Sequence, residues 1–83
     1  YGLRSQIRRS AVSIPSNIAE GRYRGSKQDY KKFLWVAYGS AAELDTQLEI
    51  ARDLGLITDS QYNECAETLI EVLKMLNVMQ QKL

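Results

Sequence analysis

Apolar residues recur every three or four positions through most of this chain, which is the spacing of amphipathic helices. Leu3, Ile7, Ala11, Ile14 and Ile18 form one stripe and predict a helix over about 2–20. Pro15 falls inside that stripe. Proline removes a backbone donor and crowds the carbonyl four residues back, so a kink near Ala11–Ser13 is expected rather than a break. Gly21 then reads as the stop. A second stripe of Tyr30, Phe33, Leu34, Ala37, Ala41, Leu44, Leu48 and Ala51 predicts a helix over about 27–54. Ser26 is placed to cap it, with Asp29 three residues on as an approximate capping box. Tyr62, Cys65, Ala66, Leu69, Leu73, Leu76 and Leu83, widened by Ile70, Val72 and Met79, predict a third helix over about 59–82. Thr58 and Gln61 are spaced as a capping box at its start. No alternating β-branched run or Asn-Gly hairpin competes with this reading. The fold class expected is therefore all-α: an antiparallel up-down helical bundle, with three helices in one domain over 1–83.

The second helix has a further apolar row on nearly the opposite side: Trp35, Gly39, Ala42, Thr46 and Ile50. A helix with two apolar faces must be covered twice, and two neighbours can do so only in part. Trp35, Gly39, Ala42 and Ile50 are accordingly the expected face for another subunit or a further helix. Gly39 in mid-helix costs about 1 kcal/mol against alanine, which suggests close backbone approach there. Ser40 and Glu43 beside it, with Asn17 and Glu20 of the first helix, are expected to form a polar lock between the two. The partners foreseen across that contact are Asn17 or Arg8.

Composition narrows the function classes. At 83 residues the chain holds one small domain, and no apolar run approaches the ~18 residues of a membrane helix. One cysteine cannot form an internal disulfide, and a cytoplasmic location is the expectation. Cys65 lies on the apolar stripe and reads as a buried structural thiol. There is no histidine, which removes the commonest general base and zinc ligand. Glu43 and Asp45 fall about 200° apart on a helix, so they do not form a working carboxylate pair. "GRYRGSK" departs from the phosphate-binding loop in spacing, in the order of Ser and Lys, and in lacking a preceding strand. No catalytic, cofactor or metal site is expected, and the chain does not read as an enzyme.

Charge changes the picture most. Residues 1–32 carry eight bases and two acids, net +6, whereas residues 33–83 carry three bases and eight acids, net −5. Arg4, Arg8, Arg22, Arg24, Lys27 and Lys31 are candidates for a phosphate-binding surface at one end and side of the bundle, with Tyr23 available for stacking on a base. Binding of RNA or DNA by such a surface would tolerate many sequences, since no groove-reading motif is present. The same charge split also suits attraction between neighbouring subunits, which is the rival expectation: a protein-interaction scaffold without nucleic-acid binding.

Four stretches carry a family resemblance: "QIRRSAVSIPSNIAEG" (Gln6 to Gly21), the following Ser26, Tyr30, Phe33 and Leu34, "AYGSAAELDTQLEIARDLGLI" (Ala37 to Ile57), and "LKMLN" in the last helix. Together they resemble the four helix bundle protein family, first described as proteins encoded by intervening sequences in bacterial 23S ribosomal RNA genes and often labelled S23 ribosomal protein. The resemblance implies a bundle that assembles with itself as a homopentamer, with no known catalytic activity or cofactor. "YGL" at the start matches the end of a loop that follows another helix in the family, so an N-terminal helix is expected to be missing here. A related branch, the accessory protein of diversity-generating retroelements, binds a reverse transcriptase and nucleic acid. The resemblance thus implies partners among copies of the chain itself, RNA or DNA, and, by analogy, a reverse-transcriptase-like protein.

Overall fold

The computed structural model describes residues 2–83; Tyr1, first residue of the "YGL" stretch, lies outside them. Three helices follow in order: α1 (Gly2–Tyr23), α2 (Lys27–Asp53) and α3 (Asp59–Gln81). Helix α1 passes unbroken through Pro15 and also through Gly21, which the sequence reading had taken as its end. The turn comes instead at Gly25, whose φ of 85° suits a residue without a side chain. Gly21 is buried in the helix because Tyr30 and Phe33 of α2 press against it. Close packing, rather than termination, explains that glycine.

The caps behave as local chemistry dictates. The Ser26 hydroxyl accepts from the Asp29 amide, without a reciprocal bond from the Asp29 side chain, so the cap is single. At Thr58 the box is complete: its hydroxyl accepts from the Gln61 amide, and its own amide donates to Gln61 Oε1. Helix α2 stops in a Schellman motif. Gly55 has φ of 77°, its amide donates to the Arg52 carbonyl, and the Leu56 amide donates to the Ala51 carbonyl.

Helix α2 is the centre of the molecule. It packs against α1 on one flank and α3 on the other, while α1 and α3 come within 8 Å of each other at no described Cα pair. The result is a slab of 43 × 23 × 12 Å. Its width matches two helix spacings of about 9 Å plus one helix, so the helices lie nearly side by side. Two connected cores fill the seams. Leu34, Ala37 and Leu76 are fully buried near the α1–α2 turn, with Ile14, Ile18, Tyr30 and Met79 packed on them. Ala41, Leu44 and Leu69 form the other, with Ile7, Leu48 and Leu73.

Several apolar positions remain uncovered by this slab. Trp35 and Ile50 on α2 are 52% and 44% exposed, and Ile70, Met75 and Val78 on α3 are comparable. Cys65, expected in the core, is exposed. It lies at the edge of the α3 stripe, which a lone layer of helices leaves open. Gly39 also departs from expectation: a Cβ there would meet nothing within 4 Å in this chain.

Candidate functional site

The structure divides the six candidate cations into two groups. Arg4 and Arg8 stand near the start of α1, while Arg22, Arg24, Lys27 and Lys31 surround the turn at its far end. Arg4 and Arg22 are about 27 Å apart along one helix. The single surface at one end and side expected from sequence is therefore two surfaces, because a continuous α1 of 22 residues carries its arginines to opposite ends of the slab.

The turn group is compact. Between Arg22 and Lys32 the chain carries five bases and one acid, Asp29. Arg24 is partly engaged: its Nε donates to Glu20 at 3.0 Å, and its guanidinium lies 5.1 Å from the Phe33 ring centre. Arg22, Lys27, Lys31 and Lys32 make no ion pair among the described residues. Arg22, Gly25, Ser26, Lys27 and Tyr30 line an open hollow at the start of α2. Backbone donors of the first helical turn and the helix dipole favour an anion there. Tyr23, the last residue of α1, is 90% exposed beside this hollow. The arrangement gathers positive charge, free backbone donors and one exposed aromatic ring at the start of α2.

The polar lock exists with different members. Ser10 Oγ donates to Glu43 Oε1 at 3.0 Å, and the Ser13 and Ser40 hydroxyls share a hydrogen bond of 2.8 Å. Asn17 Nδ2 donates to the Ser13 carbonyl at 2.7 Å and to Ser13 Oγ at 2.9 Å, so it reaches α2 only through that serine. Glu20 takes no part; its bond is to exposed Arg24 on its own helix. Sequence reasoning missed Ser10 and Ser13. Their signal was the row Ser10, Ser13 and Asn17, spaced by three and four directly beside the apolar stripe. Glu43→Ala is expected to cost about 1–3 kcal/mol by leaving the buried Ser10 hydroxyl without its acceptor. Glu20→Ala should cost under about 0.5 kcal/mol, as for any exposed pair of this spacing. Thermal melts of the two variants check this, and equal losses would refute the lock as described.

A second polar cluster joins α2 to α3 and was not foreseen. The Tyr62 hydroxyl lies 3.0 Å from Asp45 Oδ1 and 3.2 Å from Glu49 Oε1, with the Arg52 guanidinium 4.3 Å from the ring centre. Burial first, then the bond and charge of Asp45 and the charge of Glu49, push the Tyr62 pKa up to about 12 from its ordinary 10. An unfolded Tyr62 loses its proton near pH 10, whereas the folded one keeps it to about pH 12. Its contribution is thus fully present below pH 10 and is lost as pH rises through that window. Denaturant titrations should show the native chain losing more stability between pH 10 and 12 than Tyr62→Phe does. Parallel losses would rule the cluster out as a source of that dependence.

The arrangement of helices, caps and serine row can now be set beside known proteins. The model of the 23S rRNA-intervening sequence protein family matches residues 1–78. The chain belongs to that family. It is also similar to the crystal structure of a protein of unknown function from the S23 ribosomal protein family of Bacteroides thetaiotaomicron. The two are 30% identical over 96% of this chain and 74% of that one, with a TM-score of 0.92. No curated protein matches. For this family member the likeness establishes an all-helical fold, and the neighbour's own function is unknown. No described helix is long and apolar enough to cross a membrane.

Proposed function

We propose that this member of the 23S rRNA-intervening sequence protein family is a non-catalytic binding protein that holds nucleic acid by its phosphates at the α1–α2 turn. One observation carries the reading: exposed Tyr23 ends α1 in the same turn as Arg22 and Lys27, with Lys31 and Lys32 one helical turn further along α2, and none of these four cations is ion-paired among the described residues. Cations placed around a stacking ring bind single strands with little sequence preference. Arg24, held by Glu20 and Phe33, contributes charge from a fixed position.

Binding of short labelled RNA and DNA across a salt series tests this. Affinity should fall steeply with salt, since each neutralised phosphate releases a counterion. Converting Arg22, Arg24 and Lys27 to glutamate should abolish it while the chain stays folded, with only the small loss of stability expected from breaking the exposed Arg24–Glu20 pair. Tyr23→Ala should weaken single-strand binding by about 1–3 kcal/mol. No binding by the folded protein at low salt would overturn the reading. The second reading, a homo-oligomeric scaffold, is favoured by the half-exposed Trp35 and Ile50 on the outer face of α2, where Gly39 and Ala42 leave room for close approach.

A further inference from the structure

The two cationic groups of α1 are joined by a strip of its outer surface. Ser5, Arg8, Arg9 and Val12, with Ser13 at the rim, line a second open hollow near the start of the helix. Tyr23 lies about five turns beyond Ser5 and in line with it, at 3.6 residues per turn. Val12, Ser16 and Ala19 fall within about 40° of that line, and Arg8 and Arg9 flank it on either side. Every residue of the strip is exposed. The strip is also short of acids. Glu20 is the one acid of α1, and Arg24 holds it at 3.0 Å. Arg8 and Arg9 make no ion pair among the described residues. A merely solvated helix face ordinarily mixes long side chains of both signs. This one sets positive charge at both ends of a short, uncharged middle.

We propose that one single strand of nucleic acid runs along this strip, held at the turn and again at Arg8 and Arg9. The inference rests on the phosphate-binding reading of the turn and adds a second anchor to it. Arg8 and Arg9 neutralise phosphates at the far end, and the hydroxyls of Ser5 and Ser16 add donors. Val12, Ser16 and Ala19 are small, so sugars and bases approach the helix closely between the anchors. Tyr23 marks the passage from strip to turn, where a base stacks on its ring. Arg8 and Tyr23 are about 22 Å apart along the axis. At a stacked spacing of about 3.4 Å, about seven nucleotides cover that distance, and fewer do in an extended strand. A trinucleotide reaches only one anchor. A duplex keeps its bases paired inside, so it offers none to Tyr23 or to the uncharged middle of the strip. The two surfaces that α1 separates thus become two ends of one track.

The test is binding of labelled single strands, from three to about ten nucleotides, to the full chain across a salt series. Circular dichroism confirms the fold of each variant. Affinity should climb with length until the strand spans the strip, and level off beyond it. Arg8→Gln with Arg9→Gln should leave trinucleotide binding unchanged and remove the gain of the longer strand. Each phosphate contact to a single strand contributes about 0.7 to the salt slope, so the two arginines contribute about 1.4. Raising salt fourfold should therefore cut the native chain's affinity for the long strand about sevenfold more than the variant's. Equal affinity for short and long strands would overturn the proposal. So would a length dependence that the double variant leaves untouched, since the gain would then come from elsewhere. A blunt duplex of the same length, bound as tightly as the single strand, would also overturn it. Short strands bound at the turn with no gain from length would sink the strip and leave the turn reading standing. No binding at any length would sink both.

Discussion

Leu76→Ala is expected to lower the unfolding free energy by about 2–5 kcal/mol, the range for leucine truncation in a core that cannot fully collapse. Leu76 is fully buried against Leu34 and Ala37, and this contact ties the last turns of α3 to the start of α2. A slab of three helices has little to spare. Only α2 holds α3, so no second neighbour compensates for a cavity in that seam. In a domain of this size each kcal/mol shifts the melting temperature by about 4–8 °C, so a drop of at least about 8 °C is expected. Leu76→Met, which nearly conserves volume, should cost less than about 1.5 kcal/mol. Thermal unfolding followed by circular dichroism measures both. A loss for Leu76→Ala no larger than that of Leu76→Met would mean that this seam does not hold the fold together.

The second large effect separates two glycines that read alike in sequence. A Cβ on Gly21 would lie 2.8 Å from Phe33 Cβ, 3.0 Å from Tyr30 Cδ1 and 3.3 Å from Tyr30 Cα. Phe33 Cβ and Tyr30 Cα belong to the backbone or adjoin it and cannot swing aside, so α1 and α2 must move apart. Overpacking of this kind costs about 1–3 kcal/mol, and the helix-propensity gain of about 1 kcal/mol offsets only part of it. Gly21→Val adds further bulk and should be worse. Gly39→Ala meets nothing in its own chain, and should stabilise the monomer by about 0.5–1 kcal/mol. The two melting temperatures should therefore move in opposite directions. If Gly39→Ala destabilises instead, and its loss grows with protein concentration, then that face is packed by another copy. Equal shifts for Gly21 and Gly39 would contradict the close approach at Gly21.

Much of this fold was legible because its determinants are local. The apolar rows at three- and four-residue spacing marked three helices within a few residues of their ends. Ser26, Thr58 and Gln61 announced two starts, since a cap is satisfied by neighbours in sequence. The misplaced end of α1 shows where that logic stops: Gly21 serves a contact with Tyr30 and Phe33, and a helix-internal glycine packed on a neighbour looks like a terminator until the neighbour is seen. Cys65 failed for the same reason. Its stripe position promised burial, but burial needs a partner on that side of α3, and the slab offers none.

The candidate site was legible in composition and not in shape. The excess of bases before Phe33 was plain, whereas its division into the Arg4–Arg8 group and the Arg22–Lys31 group depended on α1 continuing unbroken through Pro15 and Gly21. The polar lock was foreseen at Ser40 and Glu43 and misassigned across the contact. Which of Ser10, Ser13, Asn17 and Glu20 faces α2 depends on the rotation of α1 about its axis, and that is set by packing of Ile14 and Ile18 on the Leu34 core.

By itself the sequence determined the helical class, the helix starts, the want of a histidine-based active site and the opposite charges of the two ends of the chain. Each follows from periodicity, side-chain chemistry or simple counting, and none requires knowing which residues far apart in sequence meet. Only the tertiary structure decided that α2 lies between α1 and α3, that Tyr62 reaches Asp45 and Glu49, and that the basic and acidic helices become opposite edges of one slab. Those outcomes rest on long-range contacts, whose energies depend on distances that no local pattern contains.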